Sequence, residues 1–242
     1  MFSKKNININ CDVGEGLGNE HLLMPYISSC NIACGGHAGS LEIIDKVISL
    51  AKENEVLVGA HPSYPDRESF GRKIMNISLS ELQTSIEEQI TLLEERAIKQ
   101  DIQLYHIKPH GALYNIVAKN EKLASIVLDA IENTIKNVYI YAPYNSVIAN
   151  AALERGIKVK YEAFIDRNYN DDLSLVSRNQ PNAIVTDKKE ALAHLLKMIN
   201  EEKIITINKK ERGIKATTFC VHGDHENAVE LLQYLNQELK LI

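Results

Sequence analysis

His106-Ile107-Lys108-Pro109-His110-Gly111 ends one of the chain's short apolar runs, and its composition decides the fold. The run Leu104–Lys108 has strand character, Pro109 stops it, and three side chains able to carry charge or ligate metal gather where it stops. The same ending recurs along the chain. Asn10-Cys11-Asp12-Val13-Gly14-Glu15-Gly16 follows the alternating Asn-Ile-Asn-Ile-Asn stretch, and Ala33-Cys34-Gly35-Gly36-His37-Ala38-Gly39 follows Asn31–Cys34. Gly59-Ala60-His61-Pro62, Glu162-Ala163-Phe164-Ile165-Asp166-Arg167 and Val221-His222-Gly223-Asp224 repeat it.

Candidate strands are Ile7–Cys11, Asn31–Cys34, Val56–Ala60, Leu104–Lys108, Val138–Tyr141, Val159–Phe164, Ala183–Thr186 and Thr217–Val221. Most are nearly continuous apolar runs, as expected of strands covered on both faces. Helical patterns separate them. Ser78-Leu79-Ser80-Glu81 is a capping box, after which Leu82, Ile86, Ile90, Leu93 and Ala97 form an apolar stripe. Glu87, Glu88, Glu94 and Glu95 fall on the opposite, solvated face. Ile44, Val47, Ile48 and Ala51 repeat the stripe, as do Leu123, Ile126, Val127, Ala130 and Ile131, and Ala228, Leu231, Leu232, Leu235 and Leu239. Gly156 after Arg155 has the place of a helix C′ residue.

This rhythm predicts parallel strands joined by helical crossovers. Neither a linker nor an internal repeat interrupts it, so a single domain over 1–242, built of seven or so strand–helix units, is expected. Periodicity alone also allows an open doubly wound sheet. The strand-end clusters favour a barrel, because its C-terminal rim is where loops after different strands converge.

Bulk composition narrows the function. The 242 residues are 45% hydrophobic and 24% charged, with a net charge of −5 and signs interspersed. No basic stripe is available for phosphate backbones, so nucleic acid is not an expected partner. The N-terminal residues lack a signal-peptide pattern and no apolar stretch is long enough to span a bilayer, which makes a cytoplasmic location, away from membranes, the expectation. Cys11, Cys30, Cys34 and Cys220 are best taken as buried thiols, although Cys30, Cys34 and His37 together could be half a zinc site.

Five of the eight histidines (His37, His61, His106, His110 and His222) lie in the strand-end segments, and His225 follows closely. Asp12 with Glu15, or Glu162 with Asp166, could act as acid/base pairs, with His222 and Asp224 in the same set. Lys108, Arg72 and Arg167 could hold a carboxylate, a phosphate or an oxyanion. Asp12, His37 and His61 have the ligand types of an open catalytic site for a divalent metal. Neither a phosphate-binding G-x-x-x-x-G-K-[ST] loop nor a G-x-S-x-G elbow occurs, so serine-hydrolase chemistry has no support and ATP would need another architecture or another chain.

Taken in order, these segments resemble the LamB/YcsF family, together with Phe70-Gly71-Arg72, Lys108-Pro109-His110-Gly111-Ala112-Leu113-Tyr114-Asn115 and Asp166-Arg167-x-Tyr169. The resemblance covers essentially the whole chain. Gly36, Lys73, Ile165 and Leu173 stand where the family usually has an aromatic, a second Arg, an Ala and a Gly, all beside the ionisable positions.

The resemblance implies a seven-stranded (β/α) barrel of the glycoside hydrolase/deacetylase type. It also implies an ATP-dependent opening of 5-oxo-L-proline to L-glutamate, carried out with 5-oxoprolinase subunits B and C while ATP becomes ADP and phosphate. A lactam is a stable amide with a poor leaving group, and phosphorylating its oxygen would make the carbonyl carbon a better target for water. On this view Lys108 and Arg167 neutralise substrate charge, and Asp12, Asp166, His61 or His110 activates water. The competing expectations are a stand-alone metal-dependent deacetylase of N-acetylated sugars and a non-catalytic binding barrel.

Overall fold

The computed structural model describes residues 7–239. The residues behind the signal-peptide expectation, 1–6, lie outside them. Strands in chain order are β1 (Asn8–Val13), β2 (Ser29–Ala33), β3 (Leu57–His61), β4 (His106–Ile107), β5 (Tyr139–Pro143), β6 (Lys158–Phe164), β7 (Lys203–Ile205), β8 (Glu211–Gly213) and β9 (Thr218–Val221). Seven of them close a parallel barrel in the order β1-β2-β3-β4-β5-β6-β9. Closure is made by β9, whose Val221 pairs with Cys11 on one side and whose Cys220 pairs with Phe164 on the other.

Helices surround the barrel: α1 (Glu20–Leu23), α2 (Leu41–Glu53), α3 (Leu79–Ile98), α4 (Gly111–Val117), α5 (Glu121–Thr134), α6 (Val147–Glu154), α7 (Lys188–Glu201) and α8 (Ala228–Leu239). The starts of five are set by side chains that accept free backbone N–H groups: Ser40, Ser78, Asn120, Ser146 and Asp187. The capping box at Ser78 and Glu81 is present, and Leu82, Ile86, Ile90, Leu93 and Ala97 are all buried. Gly156 follows α6 with φ +75°, a backbone conformation that favours glycine. Among the described residues no helix is long and apolar enough to cross a membrane.

Alternation along β1 sorts its side chains between two environments. Ile9, Cys11 and Val13 belong to the apolar layer under the helices. Asn8, Asn10 and Asp12 point the other way, into the lumen, where Asn10 donates to Thr218 Oγ1 at 2.8 Å and Asn31 donates to both Asn10 and Asp12 at 2.7 Å. The lumen is therefore a hydrogen-bonded polar column.

Two expectations need correction. Ala183–Thr186 is not a barrel strand, and Ile184 makes only an isolated antiparallel bridge to Arg167. The place it would have taken is filled, because β6 pairs directly with β9. Its apolar character comes from Ala183 and Val185, which are buried beneath the segment after β6. The second correction is an addition: β7 and β8 form a small antiparallel hairpin outside the barrel, which the sequence pattern did not reveal.

Candidate active site

The strand ends open onto one cavity of about 810 Å³, whose lining includes Asp12, Glu15, His61, Arg72, Lys108, His110, Glu162, Arg167, His222 and Asp224. Loops after several strands thus contribute to one site, as the convergence argument expects. Cavities of this size hold small-molecule ligands.

At its floor Lys108, which follows β4, reaches across the lumen. Its Nζ lies 2.9 Å from Asp12 Oδ1, 2.9 Å from Glu162 Oε1 and 3.1 Å from Cys220 Sγ. Lys108, Asp12 and Glu162 are all buried. Burial alone would discharge the ammonium, but Asp12, Cys220 and Glu162 outweigh it and hold the Lys108 pKa well above its ordinary value. Burial likewise acts to raise Asp12, yet Lys108 and His61 bring it well below the usual carboxylate range. Both partners are therefore ionised at neutral pH. Tyr114 lines the same cavity, and burial together with the Glu162 carboxylate keeps its phenol protonated.

Asp12 is held from beneath. His106 Nε2 donates to Asn31 Oδ1 at 2.6 Å, which turns the Asn31 amide toward Asn10 and Asp12. His106 itself stacks on Tyr141 with ring centroids 3.8 Å apart and sits against Gly59, where a Cβ would come within 2.2 Å of the imidazole.

One wall carries histidines. His61 Nδ1 donates to the Lys108 carbonyl at 2.7 Å, and His110 Nε2 donates to the Phe70 carbonyl at 3.0 Å. The remaining nitrogens, His61 Nε2 and His110 Nδ1, face each other at 2.9 Å. His37 stacks parallel on His110 with centroids 3.6 Å apart, and its Nε2 lies 3.1 Å from Glu15 Oε1. Burial lowers the pKa of both His37 and His110, so these two imidazoles are neutral at pH 7.

The opposite wall carries a second pair. His222 Nδ1 donates to Asp166, 2.9 Å from Oδ2, and the His222 backbone N–H reaches the same oxygen at 2.9 Å. Burial acts to raise Asp166, but His222 more than offsets it and brings the pKa down to about 2. With Nδ1 committed to Asp166, Nε2 is the His222 ring nitrogen outside that pair. A His222 ring nitrogen, an Asp12 oxygen and Cys220 Sγ lie within 4.8 Å of one another.

Cations mark the mouth. Asp224 accepts from Arg178 at 2.9 and 3.2 Å and is also paired with Arg72. Arg167 is more committed than its sequence position suggests. Its guanidinium donates to the Ala183 and Val176 carbonyls, at 3.3 and 2.6 Å, and so braces the segment after β6.

Most of the sequence-derived candidates line this cavity, and His37 and Asp166 contact lining residues Glu15 and His222, but they divide into groups. Of the set Asp12, His37 and His61, Asp12 Oδ2 stands 3.5 Å from His61 Nε2, while His37 turns to Glu15. His37 and His61 instead fall within ligand reach of Glu15 and His110, a second group besides Asp12, Cys220 and His222. Cys30 and Cys34 are buried free thiols, with pKa values pushed up to about 12 by burial. Arg178, Tyr114, Asn31 and Cys220 escaped sequence reasoning as site residues. For Asn31 a signal existed, an amide inside an apolar strand; Arg178 sits in an irregular segment with no such mark. Gly36 leaves no room for the larger residue usual in the family, since a Cβ there would lie 2.4 Å from Gln89 Oε1 and 2.5 Å from Ser63 Oγ.

Fold and site together define a closed parallel (β/α) barrel with an acid–base cluster at its C-terminal rim. The LamB/YcsF family profile matches residues 7–241, and the chain belongs to that family. It is 41% identical to the 5-oxoprolinase A subunit of Pyrococcus horikoshii over 239 residues, 97% of this chain and 94% of that protein. It is 38% identical to the 5-oxoprolinase A subunit of Staphylococcus aureus, over 96% of this chain and 95% of that protein. The solved lactam utilization protein of Thermus thermophilus superposes with a TM-score of 0.90 at 32% identity, covering 97% of this chain and 96% of that one.

Proposed function

We propose that the chain serves as the A component of an ATP-dependent 5-oxoprolinase, opening the lactam of 5-oxo-L-proline with water to give L-glutamate while ATP becomes ADP and phosphate. The observation that carries this reading is the buried Lys108 ammonium at the cavity floor, held charged by Asp12 and Glu162. It supplies a fixed positive charge in a water-poor site where a carbonyl oxygen turns negative as water adds. The relatives named for 5-oxoprolinase, and the lactam utilization protein, support the substrate class.

The bonds balance simply. One water adds its oxygen to the lactam carbonyl carbon, the C–N bond breaks, and the nitrogen gains the proton that this water loses, while a second water balances the cleavage of ATP to ADP and phosphate. His222 takes that proton at Nε2, its ring oriented by Asp166. The protonated His222 then returns that proton from Nε2 to the departing nitrogen. Arg72 and Arg178 at the mouth attract the substrate carboxylate or a phosphoryl group.

ATP is the cosubstrate of the complex and subunits B and C are the partners in this reading, in the cytoplasm, where four free thiols stay reduced. The test omits components one at a time. Purified chain combined with subunits B and C, ATP and 5-oxoproline should release glutamate and ADP in equal amounts, and removing this chain should abolish glutamate. Glutamate release unchanged without it contradicts the proposal.

A further inference from the structure

The two facing histidine nitrogens pose an electrostatic problem. The Lys108 and Phe70 carbonyls can only accept hydrogen bonds, so His61 carries its proton on Nδ1 and His110 carries its own on Nε2. That leaves two in-plane lone pairs directed at each other across 2.9 Å. Lone pairs so close repel unless positive charge lies between them.

The surroundings supply the rest of a cation's ligand set. Glu15 Oε1 is 3.5 Å from His110 Nδ1 and 3.1 Å from His37 Nε2, and one donor atom from each of Glu15, His37, His61 and His110 falls within a 4.8 Å span. The four side chains are shielded from solvent, and the Nδ1 of His37 has no hydrogen-bond partner among the described residues.

From this arrangement we infer that Glu15, His37, His61 and His110 form a binding site for a divalent transition metal of the zinc class. Neutral imidazoles with one carboxylate are the donor set such ions select. A second nitrogen that donates to a backbone carbonyl is how ligating histidines are held in orientation. Two nitrogens bound tetrahedrally to one zinc, each at about 2.0–2.1 Å, stand about 3.3 Å apart, so the 2.9 Å separation here needs to open by only a few tenths of an ångström. The other acid–histidine–thiol group, Asp12, Cys220 and His222, is a poor competitor because the Lys108 ammonium already lies 2.9 Å from Asp12 and 3.1 Å from Cys220. Asp12, 3.5 Å from His61 Nε2, borders the site and would tie a bound ion to the Lys108 floor.

The site concerns metal binding in the absence of substrate, so its test is separate from that of the lactam reaction. Full-length protein stripped with chelator is titrated with ZnCl2 by calorimetry and with CoCl2 by visible absorption. Wild type should take up one ion per chain, with a cobalt d–d band of nitrogen coordination. Glu15→Gln and His110→Gln should each weaken zinc binding by about 10–100-fold or more, and His21→Gln, at an exposed position, should leave it unchanged. The Glu15 carboxylate contacts His37 and His110, so circular dichroism of Glu15→Gln separates a lost ligand from a lost fold. Folded wild type that binds no zinc, or tight stoichiometric zinc retained in both variants, overturns the inference.

Discussion

Lys108 Nζ stands 2.9 Å from Asp12 Oδ1 inside the barrel, and both side chains are buried. A pair so placed couples stability to chemistry, since removing one member strands the charge of the other. Lys108→Met should cost about 3–5 kcal/mol of stability by leaving two carboxylates without their cation. It should also lower turnover by about 10²–10³-fold through loss of the oxyanion partner. Adding Asp12→Asn should return part of the stability in urea unfolding while turnover stays lost. Recovery of turnover in the double variant would separate Lys108 from the reaction.

His222 and Asp166 act as a unit in this account. His222→Gln and Asp166→Asn should each lower kcat by about 10²–10⁴-fold, with 5-oxoproline KM changed far less. The two effects should not add, because either change disables the same proton transfer. Additive losses in the double variant would contradict a shared role.

Beneath the site, Gly59 is a test of packing against a positioning residue. An added methyl would meet the His106 ring, which is pinned between Tyr141 and Asn31 and has nowhere to retreat. Gly59→Ala should destabilise by about 1–3 kcal/mol as an overpacked core substitution, and it should reduce turnover by loosening the Asn31 bond to Asp12. Unchanged melting temperature and activity would show that the column tolerates the displacement.

Acid should weaken the fold before it reaches the carboxylates. His194 on α7 is pushed down to about 4 by burial, and burial also lowers His106 well below its ordinary value. For groups depressed in the folded state, the unfolded chain binds the proton first. Their stabilising contribution is present above about pH 6.5, the unfolded histidine value, and is lost as pH falls toward about 4 for His194. Asp166 adds a loss at lower pH, from about 3.9 unfolded through about 2 folded. Urea unfolding at a series of pH values from neutral downward should show this decline, with a shallower slope in His194→Gln; a flat profile would contradict it.

Much of this was legible in one dimension. Strand-end clusters such as His106-Ile107-Lys108-Pro109-His110 announced both the parallel units and the rim, because an ionisable residue just after an apolar strand must find solvent, a partner or a ligand. Closure was harder to see. Ala183 and Val185 have strand composition, and nothing local says that β6 pairs with Thr218–Val221 instead. The division of labour among the histidines was also hidden, since it depends on which ring nitrogen meets the Lys108 or Phe70 carbonyl. Arg178 could not be found by pattern at all, because its significance lies in reaching Asp224 from an irregular segment.

The most direct test of the central claim is glutamate formed from 5-oxoproline by the chain reconstituted with its partner subunits and ATP, wild type beside Lys108→Met, with folding of the variant verified. The account predicts glutamate and ADP together in the wild type and a loss of glutamate of about 10²-fold or more in the variant. Wild-type rates of glutamate formation in a folded Lys108→Met complex would contradict it.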